Sequence, residues 1–231
     1  MRERLLGTWK IWDPALKYED SRSKFLIIVG IINLSIIAPL YFVVNRVMKY
    51  RDVTSWDPTF SLDLEIPFLP WTIIFYSTLY FVFYPLPFFV VKDEKIKEVL
   101  VLSQSLIIAQ LIAVFFFIFL PAEVHLRSQA VNGIELNPSW FGKFYEMLWV
   151  VDSPYNSWPS LHVIQAGLIT FFAIRWTSGK TLFQISILIL WILLSLSILT
   201  TKQHFIWDLI TAVLLTLVVW YAQVKPSLAR F

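Results

Sequence analysis

Cysteine is absent from this 231-residue chain, which excludes disulfides and thiolate metal sites and leaves the redox compartment open. Histidine is scarce: His125, His162 and His204 must do any imidazole chemistry. No internal repeat, low-complexity tract or second globular domain is visible along the chain. A cleavable signal peptide is not expected, because residues 1–24 are charged and broken by Pro14, and the apolar run after them is long enough to span a bilayer.

What the chain has in abundance is apolar surface. Hydrophobic residues make up 58% of it and aromatics 17%, with a mean hydropathy of +0.67, against roughly 45–50% apolar in soluble domains. That composition predicts an integral membrane protein. A net charge of +3 and a pI near 9.0 would suit nucleic acid, but the basic residues sit in short segments flanking apolar runs, where membrane orientation accounts for them. No nucleic-acid partner is expected.

Six apolar runs are long enough, or nearly so, to cross about 30 Å of hydrocarbon as helices. They cover 25–44, 71–91, 99–120, 162–176, 182–199 and 205–224, the fourth being short. The predicted fold class is all-α, a polytopic membrane helix bundle of about six transmembrane helices. It divides into an amphipathic N-terminal segment, 1–24, and a six-span domain, 25–231. Pro85 and Pro87 fall inside the second run and predict a kink, since each removes a backbone donor. In the N-terminal segment Leu5, Leu6, Trp9, Ile11, Trp12 and Leu16 alternate with basic residues, as expected of an interfacial anchor whose length Pro14 limits.

Orientation follows from Lys and Arg on alternate sides of the spans. Thirteen of the 19 fall on one face: Arg2, Arg4, Lys10, Lys17, Arg22 and Lys24 before the first run, with Lys92, Lys95, Lys97, Arg175, Lys180, Lys225 and Arg230 in the other segments of that side. The opposite face holds Arg46, Lys49, Arg51, Arg127, Lys143 and Lys202 in longer loops. The first face, with both termini, is expected to be cytoplasmic. The outer loop 45–70, rich in Asp, Pro and aromatics, is expected to lie on the membrane as a lid.

The candidate chemistry lies on the other face. His204 and Asp208 are four apart at a helix start, so they share one face, and a carboxylate there can hold Nδ1–H and leave Nε2 free as a nucleophile or base. A structural intramembrane pair is the plainer alternative. In Pro159-Ser160-Leu161-His162, Ser160 is placed to cap a helix whose free N–H groups favour an anion, and His162 can donate a proton to a leaving oxygen. Arg127 and Lys202 are candidate phosphate ligands, or else interfacial cations. His125 is given no role, and Asp152 only a weak claim on a polar acceptor or headgroup.

These motifs resemble the type 2 phosphatidic acid phosphatase superfamily of membrane lipid phosphatases and phosphotransferases, over roughly residues 66–215. Pro159-Ser160-Leu161-His162 matches the family's Pro-Ser-Gly-His with Leu161 for Gly. Ser197, His204 and Asp208 keep the spacing of the third signature, with Ile198 where Arg is usual. The first signature is reduced to Arg127, with Leu120 and Ser128 where Lys and Pro would stand. Pro-Ser-Leu-His, Thr201-Lys202-Gln203-His204 and the stretch 66–71 look more like the inositol phosphorylceramide synthase branch. The resemblance implies His204 as the nucleophile forming a phosphohistidine, Asp208 as its orienter and His162 as the acid. Arg127, Ser160 and Lys202 would bind phosphoryl oxygens, with neither metal nor cofactor. The implied partners are a membrane lipid (phospholipid, sphingolipid or polyprenyl phosphate) and, for transfer, a polar alcohol acceptor. A proton-linked transporter and a catalytically inactive scaffold of the same fold are the alternatives.

Overall fold

A computed structural model describes residues 6–51, 53–136, 140–152 and 154–230. Arg2, Arg4 and Leu5, which bear on the expected orientation and anchor, lie outside the described residues. The chain is helical throughout its regular structure, with only an isolated parallel bridge, Ala122 to Asn156, among the described residues.

Four helices are long and apolar enough to cross a membrane: α1 (Arg22–Arg51), α3 (Glu98–Phe119), α7 (Thr181–Thr200) and α8 (Ile206–Leu228). Two shorter apolar helices join them, α2 (Pro70–Phe83) and α6 (Leu161–Trp176). Between α3 and α6 run α4 (Arg127–Leu136) and α5 (Trp140–Val151). Each of the six expected runs therefore has its helix, but the bounds shift.

α1 outlasts its apolar run because hydropathy marks where lipid is, not where backbone hydrogen bonding ends. Its last residue, Arg51, donates from Nη1 to the Ile118 carbonyl at 2.7 Å, tying it to the end of α3. The second run is broken rather than kinked. After Ile73–Thr78 the helix widens into a π turn, Leu79–Phe83, and resumes only as the short helix Leu86–Val90. Pro85 and Pro87 supply no N–H, and the wider turn lets Tyr84 N reach the Leu79 carbonyl at 3.0 Å instead.

α6 is the centre of the bundle. Its 16 residues span about 24 Å, too little for the hydrocarbon, but α2, α3, α7 and α8 enclose it and lipid does not set its length. A helix apolar all round belongs in such a position. Gly167 makes the enclosure possible, since a Cβ there would stand 2.8 Å from both Trp191 of α7 and Thr216 of α8. α3 is the other interior helix, with 72% of its apolar window buried against 22% for the peripheral α1. At the end away from the histidines, Arg175 pairs bidentately with Glu98 at 2.8 and 2.9 Å, and Trp176 Nε1 donates to the same carboxylate at 2.9 Å.

The N-terminal segment does not simply lie along a surface. Two helical turns, Lys10–Trp12 and Asp13–Leu16, bury Trp12 completely, with its Nε1 3.1 Å from Gln104 Oε1 of α3. Pro14 starts the second turn, where a missing N–H costs nothing, and does not end the first.

Candidate active site

His204 lies in the short loop from α7 to α8, and the backbone there is closely held. Gln203 N and His204 N both donate to the Ile198 carbonyl at 3.2 Å, and Lys202 takes a left-handed φ of 58° to make the turn. Asp208 stands in the first turn of α8. Its Oδ2 accepts from Phe205 N at 3.0 Å, capping the helix, and sits 3.1 Å from His204 Nδ1. One buried oxygen thus fixes both the helix start and the imidazole. With Nδ1–H held by the carboxylate, Nε2 carries the lone pair. That nitrogen faces Ser160 Oγ at 3.4 Å.

Ser160 occupies the N-cap position of α6 with extended backbone, yet its hydroxyl makes no capping bond. The expected cap is corrected here: the hydroxyl is turned toward His204, and the first N–H groups of α6 are left without a side-chain cap. His162, the second residue of α6, is clamped by α2. Its ring lies 4.1 Å from that of Tyr76, and its Nε2 is 3.2 Å from the Tyr80 hydroxyl. The ring centroids of His162 and His204 are 6.2 Å apart, and both residues line one cavity of about 390 Å³.

Arg127 begins α4 and reaches the end of α5. Nη1 donates to the Asp152 carbonyl at 2.7 Å, and Nη2 lies 3.5 Å from Asp152 Oδ2. Asp152 itself lines the cavity and accepts from the Tyr41 hydroxyl and, at 3.3 Å, from Asn45 Nδ2. Arg127 therefore stands behind the cavity wall, with Asp152 as its contact.

Lys202 is placed differently from the sequence expectation. Its ammonium is fully buried and donates to the Asp63 carbonyl at 2.8 Å, in the short helix Ser61–Glu65 of the outer loop, and it does not line the cavity. Burial pushes its pKa down, and the neighbouring Asp63 opposes that shift. The left-handed backbone at Lys202 turns the side chain away from the direction a simple helical count from His204 implies. His125, given no role, is exposed and lies 3.3 Å from Thr59 Oγ1.

Sequence reasoning misses several residues that share the cavity. Tyr80 and Tyr41 come from distant spans and carry no motif. Asn156 is buried on the loop before α6, and both its polar side-chain atoms are without a partner among the described residues. Gln110 of α3 and Gln165 of α6 are joined by a 3.1 Å hydrogen bond, and Tyr84 donates to Gln165 Oε1. The usable signal is the cost of placing amides inside apolar runs.

A family model described as PAP2 superfamily matches residues 55–222 of the chain. No curated protein and no solved structure matches it.

Proposed function

The chain belongs to the PAP2 superfamily, whose chemistry is of phosphatase type on lipid phosphates, and we propose that it is an integral-membrane lipid phosphatase or phospho-headgroup transferase working through a phosphohistidine at His204. The observation that carries this reading is the pair of imidazoles on one cavity, 6.2 Å apart, with Asp208 on Nδ1 of one of them. Their spacing accommodates a single phosphoryl group.

In the proposed reaction, His204 Nε2 attacks phosphorus and forms an N–P bond as the P–O bond to the leaving alcohol breaks. The leaving oxygen takes a proton from His162. Water, or an acceptor alcohol in transfer, then attacks phosphorus, its proton passes to His162, and the N–P bond breaks. Asp208 holds the tautomer and stabilises the positive charge that His204 gains. Ser160 Oγ and the N–H groups at the start of α6 that no side chain caps serve the phosphoryl oxygens, while the Arg127 guanidinium holds Asp152 in the cavity wall. Lys202 keeps the outer loop on the His204 turn and acts on phosphate only through that loop. The distribution of Lys and Arg supports a site on the periplasmic, extracellular or lumenal face, with cytoplasmic termini. The motif forms favour the inositol phosphorylceramide synthase branch, and hence headgroup transfer, over plain hydrolysis.

His204→Ala and His162→Ala are each expected to abolish phosphate release or transfer from a purified lipid phosphate while the protein still inserts; wild-type turnover in both would end this mechanism. One observation favours an inactive scaffold: the Arg127 and Lys202 cations are both already engaged, by Asp152 and Asp63. Acid-labile phosphate trapped on His204 during turnover excludes that second reading.

A further inference from the structure

The cavity extends beyond the two histidines, and its far part has a different chemistry. One wall is a stripe of α1, Leu34, Ala38 and Tyr41, at the i, i+4 and i+7 positions of one helical face. Leu34 and Phe42 line the cavity yet remain 60% and 49% exposed, on the surface that α1 presents to lipid. A ligand can thus enter sideways with its chains still in the membrane.

Along α6 from His162 into the bundle, Gln165 follows three residues on, about 4.5 Å along the axis. It is the middle of a chain of neutral polar groups from α3, α6 and the turn that follows α2. The Tyr84 hydroxyl donates to Gln165 Oε1, and Gln165 Nε2 donates to Gln110 Oε1 at 3.1 Å. The chain ends on Gln110 Nε2, a donor on a side chain that is 2% exposed, lines the cavity and has no partner for that nitrogen among the described residues. In this arrangement the Gln110 oxygen is taken by Gln165 and the Gln165 oxygen by Tyr84, so the group Gln110 turns to the cavity is its N–H. An unpaired amide donor beneath a membrane surface is costly, and a ligand acceptor removes the cost.

We propose that Gln110 is a specificity-determining residue that donates from Nε2 to an acyl carbonyl of the lipid substrate, so that the cavity takes acylated lipid phosphates in preference to polyprenyl or alkyl phosphates. This rests on the phosphate reading of the His162–His204 end. The chemistry fits in one respect that does not depend on the lipid's name. In a glycerolipid ester and in an N-acyl sphingoid phosphate, the acyl carbonyl carbon lies the same number of bonds from phosphorus. Either carbonyl is therefore carried to similar depth below a phosphate held between the histidines. A polyprenyl phosphate has no acceptor there and leaves Gln110 Nε2 unpaired, and an ether lipid offers only a much weaker one.

The test uses the full-length protein in lipid nanodiscs with four ligands: a diacyl phosphatidic acid, its dialkyl ether analogue, a ceramide 1-phosphate and a polyprenyl phosphate. Affinity is measured in the His204→Ala background, and turnover with His204 intact. The ester and the amide are each expected to bind roughly threefold to tenfold more tightly than the ether, the worth of one neutral hydrogen bond. Gln110→Leu should erase that margin and leave the ether analogue unchanged. A margin for only the ester or only the amide identifies the lipid class that Gln110 reads. Equal binding of ester, amide and ether by the Gln110-containing protein overturns the proposal, as does a margin that survives Gln110→Leu. That first comparison needs no folded Gln110 variant. Turnover of all four ligands without preference would sink the subsite and leave the phosphatase reading standing. An acyl preference in binding with no turnover of any ligand would do the reverse.

Discussion

At the scale of single residues, the site depends on how Asp208 divides its oxygens. Oδ2 serves both Phe205 N and His204 Nδ1, while Oδ1 has no partner among the described residues. Asp208→Asn keeps size and shape, and its amide oxygen in the Oδ2 position can still accept from both groups, but it carries no charge to stabilise the cation formed at His204, and in the other orientation it presents an N–H that forces the wrong tautomer. The expected result is a fall of about two to four orders of magnitude in kcat, with KM changed little and the protein still inserted, read from initial rates on any lipid phosphate that supports turnover. A loss confined to KM would mean that Asp208 acts on substrate binding instead. The pairing itself is legible in the sequence, because His204 and Asp208 are four apart and a helix puts them together. Ser160 is legible by position and not by role: a hydroxyl at a helix start suggests a cap, and nothing local says that an imidazole forty residues on will claim it. Tyr80 and Asn156 are not legible as site residues, since only packing brings them to one cavity, and Gln110 announces itself only as a costly amide inside an apolar run.

At the scale of elements, the turn that carries His204 is held from outside by the loop before α2. Asp63 Oδ1 accepts from Ile206 N, the first residue of α8, at 2.7 Å, and Oδ2 accepts from Phe60 N at 2.8 Å. Lys202 Nζ donates to the Asp63 carbonyl, and Leu69 N donates to the Thr200 carbonyl at 2.9 Å. The loop expected to be a lid is therefore stapled to the α7–α8 turn. Lys202→Met retains the stem and removes the ammonium, so it should cost about 1–3 kcal/mol of stability, seen as a lower Tm in detergent, with kcat reduced because the His204 turn loosens. A phosphate ligand behaves otherwise: KM would rise and Tm would hold. Hydropathy finds the six apolar helices but misjudges their ends and misses α4 and α5, and it reads the second run as a bent helix where the Pro85 and Pro87 region breaks it. The short α6 is the least certain span on length alone. Its apolar surface on all sides already implies an interior position, and Gly167 shows the close approach that the sequence does not announce.

For the whole molecule, the question is which membrane face the site occupies, and the distribution of charge is the feature of the chain that bears on it. The cations of the α2–α3 and α6–α7 connections and of the C-terminal end lie on one side of the six helices, opposite the loops that bring Arg127, Ser160, Lys202 and His204 together. Moving Lys and Arg across a bilayer during insertion is unfavourable, so the side richer in them in its short loops stays cytoplasmic. The absence of cysteine makes this directly measurable, since any introduced thiol is unique. Ser128, exposed in the first turn of α4, and Ser178, exposed between α6 and α7, sit on opposite sides of the bundle by that distribution. In intact right-side-out cells or sealed vesicles, Ser128→Cys should react with a membrane-impermeant maleimide and Ser178→Cys only after permeabilisation. The inverse pattern would place the histidines on the cytoplasmic face and hand the substrate pool to the inner leaflet. It would leave the geometry of His162, His204 and Asp208 untouched, because that geometry is set by the packing of α2 and α8 on α6 and by the α7–α8 turn, and not by the side from which the lipid arrives.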